Sequence, residues 1–501
     1  MRGYHTPVEI LKWSVNGMSP KTFTKQFING CWKNGSSDKF VENINPYTEQ
    51  SIASIPSANE EDLNEAYEAA YQAQKYWMNT TPREKQGYFD RLLEVVQDRK
   101  GEIVDWLVKE SGSTMVKAEV EFQATVGIIR ESATFPNRMA GQILPSNTPG
   151  KENRIYRSPK GVIGVIGPWN FPLHLAVRSI APALATGNTV VVKPASDAPA
   201  TSGLLIADLF EEAGFPEGVI NVVVGRGSEI GDAFVTHPYA KLISFTGSTE
   251  VGSHIGELAG KHIKDTALEL GGNNAMIILE DADIDRAVQA ATFGKFLHQG
   301  QICMSLNRII VHERVHDEFV EKFKQKVESL KVGDPGEKDT VVGPLINRDA
   351  VERIQKDMNA SVEQGAEILT GGKAEGNVFH PTILTGVTND IPIAQNEVFG
   401  AVGAVIKASS EEEAIEIANG SPYGLSGSVF TTDIHRGVEV AKQIETGMIH
   451  INDQSVNDEA HVAFGGEKES GLGRFNGEWA LDKFTTVKWI GVMNGYRKYP
   501  F

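Results

Sequence analysis

Short apolar runs alternate with longer amphipathic segments along most of this chain, which is typical of a parallel sheet whose faces are covered by helices. Apolar residues recur at helical spacing over Ser57–Trp77, where a Ser and several acids come first, so this segment predicts an amphipathic helix. The segment Thr81–Ser111 opens with Thr-Pro and predicts one or two further helices, broken near Gly101. A turn-rich stretch at Asn147–Glu152 then leads into the first strand.

Two series of strand–helix units follow, and each predicts a parallel sheet. In the first series, strands are predicted at Gly161–Ile166, Thr189–Val192, Val219–Val224 and Leu242–Thr246, with helices at Pro172–Ala185 and Thr201–Ala213. In the second, strands are predicted at Ala275–Leu279, Arg308–Val311 and Met448–Ile451. The segment Thr485–Tyr496 alternates like one more strand, without a partner in its own neighbourhood. It is either an ordinary edge strand or an edge that a second subunit covers.

Composition narrows the classes of function. The 501 residues suffice for two to four structural units, and the net charge of −17 comes without a Lys/Arg-dense face, which argues against nucleic-acid binding. No apolar run approaches the roughly 20 residues of a membrane span, and the amino end lacks the features of a secretory signal. We therefore expect a cytoplasmic protein without membrane contact, with residues 1–20 forming a loosely held extension. Two cysteines and twelve histidines without ligand spacing predict no metal site.

Three residues carry groups suited to carbonyl chemistry. Cys303 lies among small and polar neighbours in FLHQGQICMSLNR, where a thiol is either a nucleophile or a packing residue. Glu269, in ALELGGNN, would have a raised pKa if buried and would suit a general base, unless it is a salt-bridged or helix-end carboxylate. Asn170, in GPWNFP, could donate a hydrogen bond to an oxyanion or simply cap the next helix. The residues alone leave these alternatives open.

Glycine-rich turns between a strand and a helix suggest a phosphate site. They are VVGRGSEIG, with Gly225, Gly227 and Gly231, and FTGSTEVG, with Gly247 and Gly252. Such turns expose backbone N–H groups and a helix N-terminus to a phosphate, although neither matches the strict dinucleotide fingerprint. Together with Lys193, at the end of the strand TVVV, they make a dinucleotide crevice plausible.

Seven motifs occur in order, and together they resemble the aldehyde dehydrogenase superfamily from about residue 25 to the C-terminus. The motifs are GPWNFP (167–172), VVVKPAS (190–196), FTGSTEVG (245–252), LELGGN (268–273), QGQICMS (299–305), NEVFG (396–400) and FGGEKESGLGR (464–474). The resemblance implies that Cys303 attacks an aldehyde, that Asn170 and the Cys303 N–H hold the oxyanion, and that a hydride leaves for the cofactor. Glu269 would then activate the water that hydrolyses the thioester.

The resemblance also implies an NAD or NADP site. The implied contacts are Ile166, Pro168, Trp169, Lys193, Ser196, Gly227, Gly247, Ser248, Leu270, Glu397 and Phe399. Relatives that select NAD tend to have a glutamate at the position of Ser196, which would repel a 2′-phosphate. A neutral Ser removes that repulsion, so NADP is expected to be admitted beside NAD.

The stretch NFPLHLAVRSIAPALATGN resembles the branch that includes benzaldehyde, salicylaldehyde and vanillin dehydrogenases. The expected substrate is therefore an aromatic or other bulky apolar aldehyde. The expected pocket comprises Phe171, Leu175, Arg178, Leu297, Ile302 and the segment Gln454–Val462. Arg178 could clamp the carboxylate of a semialdehyde, but a structural role is favoured. A CoA-acylating dehydrogenase, a cofactor-free hydrolase and a non-enzymatic binding protein remain alternatives.

The fold implied by the resemblance is α/β, with two Rossmann-like parallel-sheet domains and a small β-strand arm. Residues 1–138 and 160–270 would form the dinucleotide-binding domain. Residues 271–485 would form the catalytic domain and return to the cofactor domain near their end. The arm, residues 139–159 and 486–501, would pair across subunits to give a homodimer or homotetramer.

Overall fold

A computed structural model describes residues 22–501 of the chain, so the extension expected over residues 1–20 lies outside the described residues. The described helices are α1 (Glu60–Trp77), α2 (Pro82–Asp98), α3 (Lys100–Ser111), α4 (Met115–Thr134), α5 (Pro172–Ala185), α6 (Leu205–Glu212), α7 (Asp232–Thr236), α8 (Thr249–Lys261), α9 (Ile284–Phe296), α10 (Glu313–Glu328), α11 (Arg348–Glu363), α12 (Pro392–Gln395), α13 (Glu411–Asn419), α14 (Ile434–Ala441) and α15 (Gly477–Lys483).

The strands of the first half are β1 (Gln26–Ile28), β2 (Cys31–Lys33), β3 (Phe40–Ile44), β4 (Ser51–Pro56), β5 (Gln142–Leu144), β6 (Lys151–Pro159), β7 (Val162–Ile166), β8 (Thr189–Lys193), β9 (Ile220–Val222), β10 (Ala240–Thr246), β11 (Asp265–Glu269) and β12 (Asn274–Ile278). Those of the second half are β13 (Leu306–His312), β14 (Glu367–Thr370), β15 (Ala374–Glu375), β16 (Val378–Phe379), β17 (Thr382–Thr385), β18 (Val402–Ala408), β19 (Tyr423–Gly424), β20 (Gly427–Phe430), β21 (His450–Ile451), β22 (Glu467–Lys468), β23 (Gly471–Leu472) and β24 (Thr485–Met493).

The first series of predicted units folds into a sheet with strand order β2-β1-β9-β8-β7-β10-β11-β23. The five strands from β9 to β11 are parallel, and β1 and β23 pair antiparallel at the two sides of that parallel part. Each of the four strands predicted here is observed to within two residues at either end. They were recognisable because β7, β8 and β9 are buried almost throughout and are therefore continuous apolar runs.

The second series forms a sheet with strand order β14-β17-β18-β13-β12-β20-β21, parallel except for the antiparallel edge strand β14. The three predicted strands correspond to β12, β13 and β21, to within two residues at either end. The sequence prediction did not include β14, β17, β18 or β20. The α/β prediction with two parallel-sheet units is confirmed.

The helical predictions hold with shifts in their ends. Helix α1 begins three residues later than the predicted Ser57, because Asn59 caps it and forms a capping box with Asp62. The break between α2 and α3 falls at Arg99, before Gly101. The predicted helix at Thr201–Ala213 begins as a π-helical turn at Ala200–Leu204 before α6, whereas α5 has the predicted bounds.

The terminal strand has a partner inside the same chain. Strand β24 pairs antiparallel with β6 in unbroken register from Thr485↔Pro159 to Met493↔Lys151, and β5 pairs with the other side of β6. The outer edge of β24 has no partner strand in the described chain, and Val487 and Trp489 on it are exposed. No helix within residues 22–501 is long and apolar enough to cross a membrane.

Parallel strands bring several predicted residues to one place. Ile166, Lys193, Thr246 and Glu269 are the last residues of β7, β8, β10 and β11, and the carboxyl ends of parallel strands lie at the same edge of a sheet. Only residues 270–273 separate β11 of the first sheet from β12 of the second. This short crossing places the second sheet beside that edge.

Candidate active site

Cys303 follows a strained turn between α9 and β13. His298 and Gln299 both have left-handed backbone angles, with φ of 50° and 58°, which are costly for residues with a side chain. The Gln299 amide donates to the carbonyls of Gly112 and Pro344, at 2.9 and 2.8 Å, and so holds the turn. This turn leaves Cys303 half-buried.

The segment that crosses between the sheets lies directly against Cys303. The Asn274 side chain donates to the Cys303 carbonyl at 2.7 Å, and a Cβ on Gly272 would lie 2.2 Å from the same oxygen. Burial raises the pKa of the Cys303 thiol to about 12, and the negative charges of Glu397 and Glu269 also raise it. The thiol is therefore protonated at neutral pH, and a nucleophilic attack needs a base to remove its proton.

Asn170 is buried, and its side chain does not cap α5. Its amide Nδ2 donates to the Gln301 carbonyl at 3.1 Å, in the segment that precedes Cys303. The first N–H groups of α5 are instead bound by Glu121, whose Oε1 accepts from Leu173 at 2.9 Å and from His174 at 3.2 Å. The helix-cap alternative for Asn170 is therefore excluded, and its amide faces the thiol segment.

Glu269 is 2% exposed at the end of β11. Neither of its carboxylate oxygens has a hydrogen-bond partner within the described residues. Burial raises its pKa to about 8, the positive charge of Arg178 opposes that rise, and the negative charge of Asp458 adds to it. Glu269 is thus neither salt-bridged nor at a helix end, and it has the pKa of a base that works near neutral pH.

Arg178 lies buried in α5 and is held on several sides. Its Nη1 is 3.2 Å from Asp458 Oδ2, and its guanidinium carbon lies 4.1 and 5.1 Å from the ring centres of Phe464 and Phe475. His174 Nε2 lies 2.8 Å from the same Asp458 oxygen. These contacts support the structural role that the sequence favoured for Arg178. Asp458 lies in the segment Gln454–Val462 that was expected at the pocket, but the sequence did not single it out as the partner of Arg178.

The four apolar residues of the predicted pocket belong to one hydrophobic cluster, against which Cys303 packs. They are Phe171, Leu175, Leu297 and Ile302, and each is at most 8% exposed. The cluster also contains Met304 and Phe464, which the sequence analysis did not single out. The thiol therefore has an apolar wall on one side.

On another side Cys303 borders a cavity of about 1140 Å³, here called the crevice. All predicted cofactor contacts line it, together with Asn170: Ile166, Pro168, Trp169, Lys193, Ser196, Gly227, Gly247, Ser248, Leu270, Glu397 and Phe399. It is also lined by residues that the sequence analysis missed, among them Asp197, Ser228, Thr249, His254, Arg353 and Tyr423. Ser228 and Thr249 lie within the two glycine-rich motifs but were not singled out, whereas Asp197, His254, Arg353 and Tyr423 lie outside every quoted motif.

Several residues that line the crevice have shifted pKa values or unusual backbone angles. Burial lowers the pKa of Lys193 to about 8 and raises that of Glu397 to about 7, and Glu397 Oε1 accepts from the Gly272 N–H at 2.8 Å. Phe399 has a φ of 48°, and its ring centre lies 5.3 Å from that of Trp169. Strained backbone and shifted pKa values concentrate at functional sites.

The glycines of the two candidate turns divide into two groups. Gly227, Gly231 and Gly247 line the crevice, whereas Gly225 and Gly252 do not. A Cβ on Gly252 would lie 2.2 Å from Leu270, so this glycine is required for packing. Within residues 22–501, no group of three or more His, Cys, Asp or Glu side chains is placed to hold a metal ion.

Comparisons with known proteins agree with this arrangement. The family model described as the aldehyde dehydrogenase family matches residues 32–490. The chain is 53% identical to a vanillin dehydrogenase of Corynebacterium glutamicum, over 94% of this chain and 97% of that one, and 51% identical to a benzaldehyde dehydrogenase of Bacillus subtilis, over 95% and 98%. A solved NAD-dependent benzaldehyde dehydrogenase from Corynebacterium glutamicum superposes with a TM-score of 0.87 at 49% identity, covering 96% of this chain and 100% of that one. The chain belongs to the aldehyde dehydrogenase family.

Proposed function

We propose that this enzyme oxidises aromatic or other bulky apolar aldehydes to carboxylic acids, with NAD or NADP as hydride acceptor. The observation that carries the proposal is the position of Cys303, which borders both the crevice and the apolar cluster. A thiol there can meet an aldehyde from one side and a dinucleotide from the other. The names of the similar proteins, vanillin and benzaldehyde dehydrogenase, support the aromatic class.

The residues of the crevice fit a dinucleotide. Lys193 supplies a buried cation, and α8 opens at the crevice with Ser248 as its N-cap, where backbone N–H groups favour a phosphate. Glu397 and Phe399 line the part shared with Cys303 and are suited to hold the nicotinamide ribose and ring. When bound, NAD or NADP supplies a hydride acceptor.

In the first half of the reaction, Cys303 forms a carbon–sulfur bond with the aldehyde. Glu269, whose pKa of about 8 makes it a stronger base than an ordinary carboxylate, is the candidate to take the thiol proton. The aldehyde oxygen becomes an oxyanion, to which the Asn170 amide and the Cys303 backbone N–H donate. One such donor is typically worth about 3 kcal/mol. Loss of the aldehydic hydrogen as a hydride then leaves a thioester on Cys303.

In the second half, Glu269 hydrolyses that thioester. Glu269 first releases the thiol proton to solvent; its carboxylate then removes a proton from water, the water oxygen adds to the thioester carbon, and the carbon–sulfur bond breaks. The acid leaves and the sulfur regains a proton. Because both Glu269 oxygens lack partners, no hydrogen bond has to be broken before water binds.

The pocket argues for an apolar substrate. Cys303 packs against the apolar cluster that contains Phe171, Leu175, Leu297 and Ile302, although none of these four residues lines the crevice. Arg178 would be the clamp for a semialdehyde carboxylate, but its charge is already paired with Asp458. The apolar class is therefore favoured over a semialdehyde.

The test follows the absorbance of the reduced cofactor with benzaldehyde, vanillin, an aliphatic aldehyde and a semialdehyde, each with NAD and with NADP. We expect reduction with the aromatic aldehydes, lost in Cys303→Ala and retained in Cys31→Ala. Cys31, the second of the two cysteines, is exposed and does not line the crevice, so it is the matched control. Reduction with no pair, or a preference for the semialdehyde, would overturn the proposal.

Two alternative activities can be tested in the same assay. An acyl-CoA product that forms only when CoA is supplied would show that CoA, rather than water, accepts the acyl group; the presence of Glu269 argues against this. Ester cleavage without cofactor would show a hydrolase. In a Ser196→Glu variant, NADP-dependent reduction should fall relative to NAD-dependent reduction, since the carboxylate would repel a 2′-phosphate.

We also propose the three-part division given above, with β5, β6 and β24 as the arm. The open outer edge of β24 and its exposed Trp489 support pairing with a second copy, which would give a homodimer or homotetramer. Light scattering of a Val487→Pro variant tests this, because proline removes a backbone donor from the edge strand. If the molar mass of the variant in solution equals that of the parent oligomer, the edge of β24 is not the interface between subunits.

A further inference from the structure

A buried ion pair outside the proposed reaction holds the segment that carries Asn170. Lys117 and Glu121 lie one turn apart in α4, and both side chains are 0% exposed. The Lys117 ammonium donates to Glu121 Oε2 at 2.5 Å, to Ser113 Oγ at 2.9 Å and to the Asn170 carbonyl at 2.6 Å. These three bonds use all three of its N–H donors.

The same pair contacts three of the four residues that follow Asn170. The Lys117 ammonium lies 4.2 Å from the centre of the Phe171 ring, and Glu121 Oε1 binds the N–H groups of Leu173 and His174. One ion pair thus fixes the backbone of the oxyanion donor, a wall of the apolar pocket and the first turn of α5.

Stability alone is a weak reason for such a pair. Removing two charges from water is costly, and replacing a buried ion pair by apolar residues of similar volume is often neutral or stabilising. Positioning is a better account, because a hydrogen-bond donor acts on a developing charge only from the correct place, and an error of about 1 Å can cost about 10²-fold in rate.

We propose that Lys117, paired with Glu121, is a positioning residue that sets the Asn170 amide for the aldehyde oxygen. This rests on the proposed role of Asn170. Lys117 itself touches neither substrate nor cofactor in this account, and it acts through the carbonyl of residue 170.

The experiment is a double-mutant cycle on the hydride-transfer step, measured as the pre-steady-state burst of reduced cofactor with benzaldehyde. Lys117→Met should slow the burst at least about tenfold and leave the KM for the cofactor within about twofold. In an Asn170→Ala background the same substitution should cost less than about twofold, because the amide to be positioned is gone. A purely structural role would give the same fold-loss in both backgrounds and would overturn the proposal.

Lys85→Met is the matched control. Lys85 is also buried, donates to a backbone carbonyl, that of Thr80, and lies over an aromatic ring, that of Trp77, but it does not contact the segment that carries Asn170. Its burst should stay within about twofold of the parent enzyme. Lys117→Gln, which keeps one donor for the Asn170 carbonyl, should recover part of the lost rate.

If Lys117→Met does not fold because Glu121 is left charged and unpaired, the double variant Lys117→Met/Glu121→Gln removes both charges. It keeps an oxygen for the N–H groups of Leu173 and His174, and the same cycle applies. A slowdown below tenfold in the folded variant overturns the inference. If Asn170→Ala alone leaves the burst unchanged, the proposed role of Asn170 fails instead, so the two failures are distinguishable.

Discussion

Glu269 is buried and Asp458 is largely buried, and both carboxylates interact with the charge of Arg178, yet their pKa values move in opposite directions. Burial would raise both. For Asp458 that effect is overcome by His174, Arg178 and Asn476, which bind its oxygens at 2.8, 3.2 and 2.7 Å and lower its pKa to about 2. Glu269 has no such partners, and its pKa is about 8.

Hydrogen-bonding and charged partners, rather than burial, therefore decide whether such a carboxylate stays ionised or can exchange protons. Asp458 is ionised at every pH at which the enzyme is useful, so it cannot exchange protons. Glu269 can hold or release a proton near neutral pH because nothing else occupies its oxygens.

The largest effect is expected from Glu269→Gln, which keeps the shape and removes the base. Steady-state turnover should fall by about 10³-fold, within the range for loss of a general base, because the amide cannot take a proton from water. If the thiol can still lose its proton to solvent, one equivalent of reduced cofactor per active site should form before turnover stalls. Stopped-flow absorbance measures both. Turnover within tenfold of the parent would remove Glu269 from the mechanism.

Replacing the other carboxylate, Asp458, by its amide should lower stability rather than turnover. Asp458→Asn leaves Arg178 buried without its counter-ion and should lower the free energy of unfolding by about 3–5 kcal/mol. Denaturant unfolding of the two variants side by side is the measurement. Glu269→Gln serves as the control, since it removes a buried charge that has no partner and should not destabilise. A loss of less than about 1 kcal/mol in Asp458→Asn would show that this pair is not what holds Arg178.

Residues that lie in local motifs could be predicted from the sequence, whereas residues defined by distant partners could not. Glu269, Cys303 and Asn170 lie in local motifs, and buried parallel strands are apolar runs, so these were accessible. Asp458 lies 280 residues from Arg178 in the chain, and no local pattern joins them. Lys117 and Glu121 have the i,i+4 spacing of an ordinary surface pair, and only the fold shows that both are buried.

Strands β17, β18 and β20 were missed for a related reason. They are only four to seven residues long, and the sequence analysis did not separate them from the loops around them. Strand β24 was visible, but its partner β6 lies more than 300 residues earlier, so pairing could not be assigned from neighbouring sequence. Long-range contacts, rather than local preferences, account for these gaps.

The pH dependence of stability should differ in sign between the two carboxylates. The pKa of Glu269 is raised above the ordinary carboxyl value of 4.5, so its contribution to stability is complete below about pH 4.5 and is lost as the pH rises to about 8. Asp458 contributes to stability above its ordinary pKa of 3.8, and that contribution is lost as the pH falls towards 2. Relative to the parent, the free energy of unfolding of Glu269→Gln should therefore rise by about 3–4 kcal/mol between pH 5 and pH 8. The cost of Asp458→Asn should stay constant across that window.

Unfolding free energies at pH 5, 6, 7 and 8 test this prediction. A stability difference between Glu269→Gln and the parent that does not change with pH would show that Glu269 has an ordinary pKa in the folded enzyme. A cost of Asp458→Asn that varies strongly above pH 5 would show that the pKa of Asp458 is not held low in the folded enzyme.

The smallest effect is expected from Arg474, the weaker of the two positive charges that lower the pKa of Glu269. In Arg474→Gln that pKa should rise, so the acid limb of turnover, expected near pH 8, should move up by at most about half a unit. The shift is small because Arg474 is about a quarter exposed and water screens its charge.

Asp458→Asn should move the acid limb down, since it removes a negative charge that raises the pKa of Glu269. Arg436→Gln is the control. Arg436 pairs with Glu280 and Glu411 rather than with Glu269, so its loss should leave the acid limb in place. Shifts of the same sign in Arg474→Gln and Asp458→Asn would mean that another group, rather than the charges around Glu269, sets the limb.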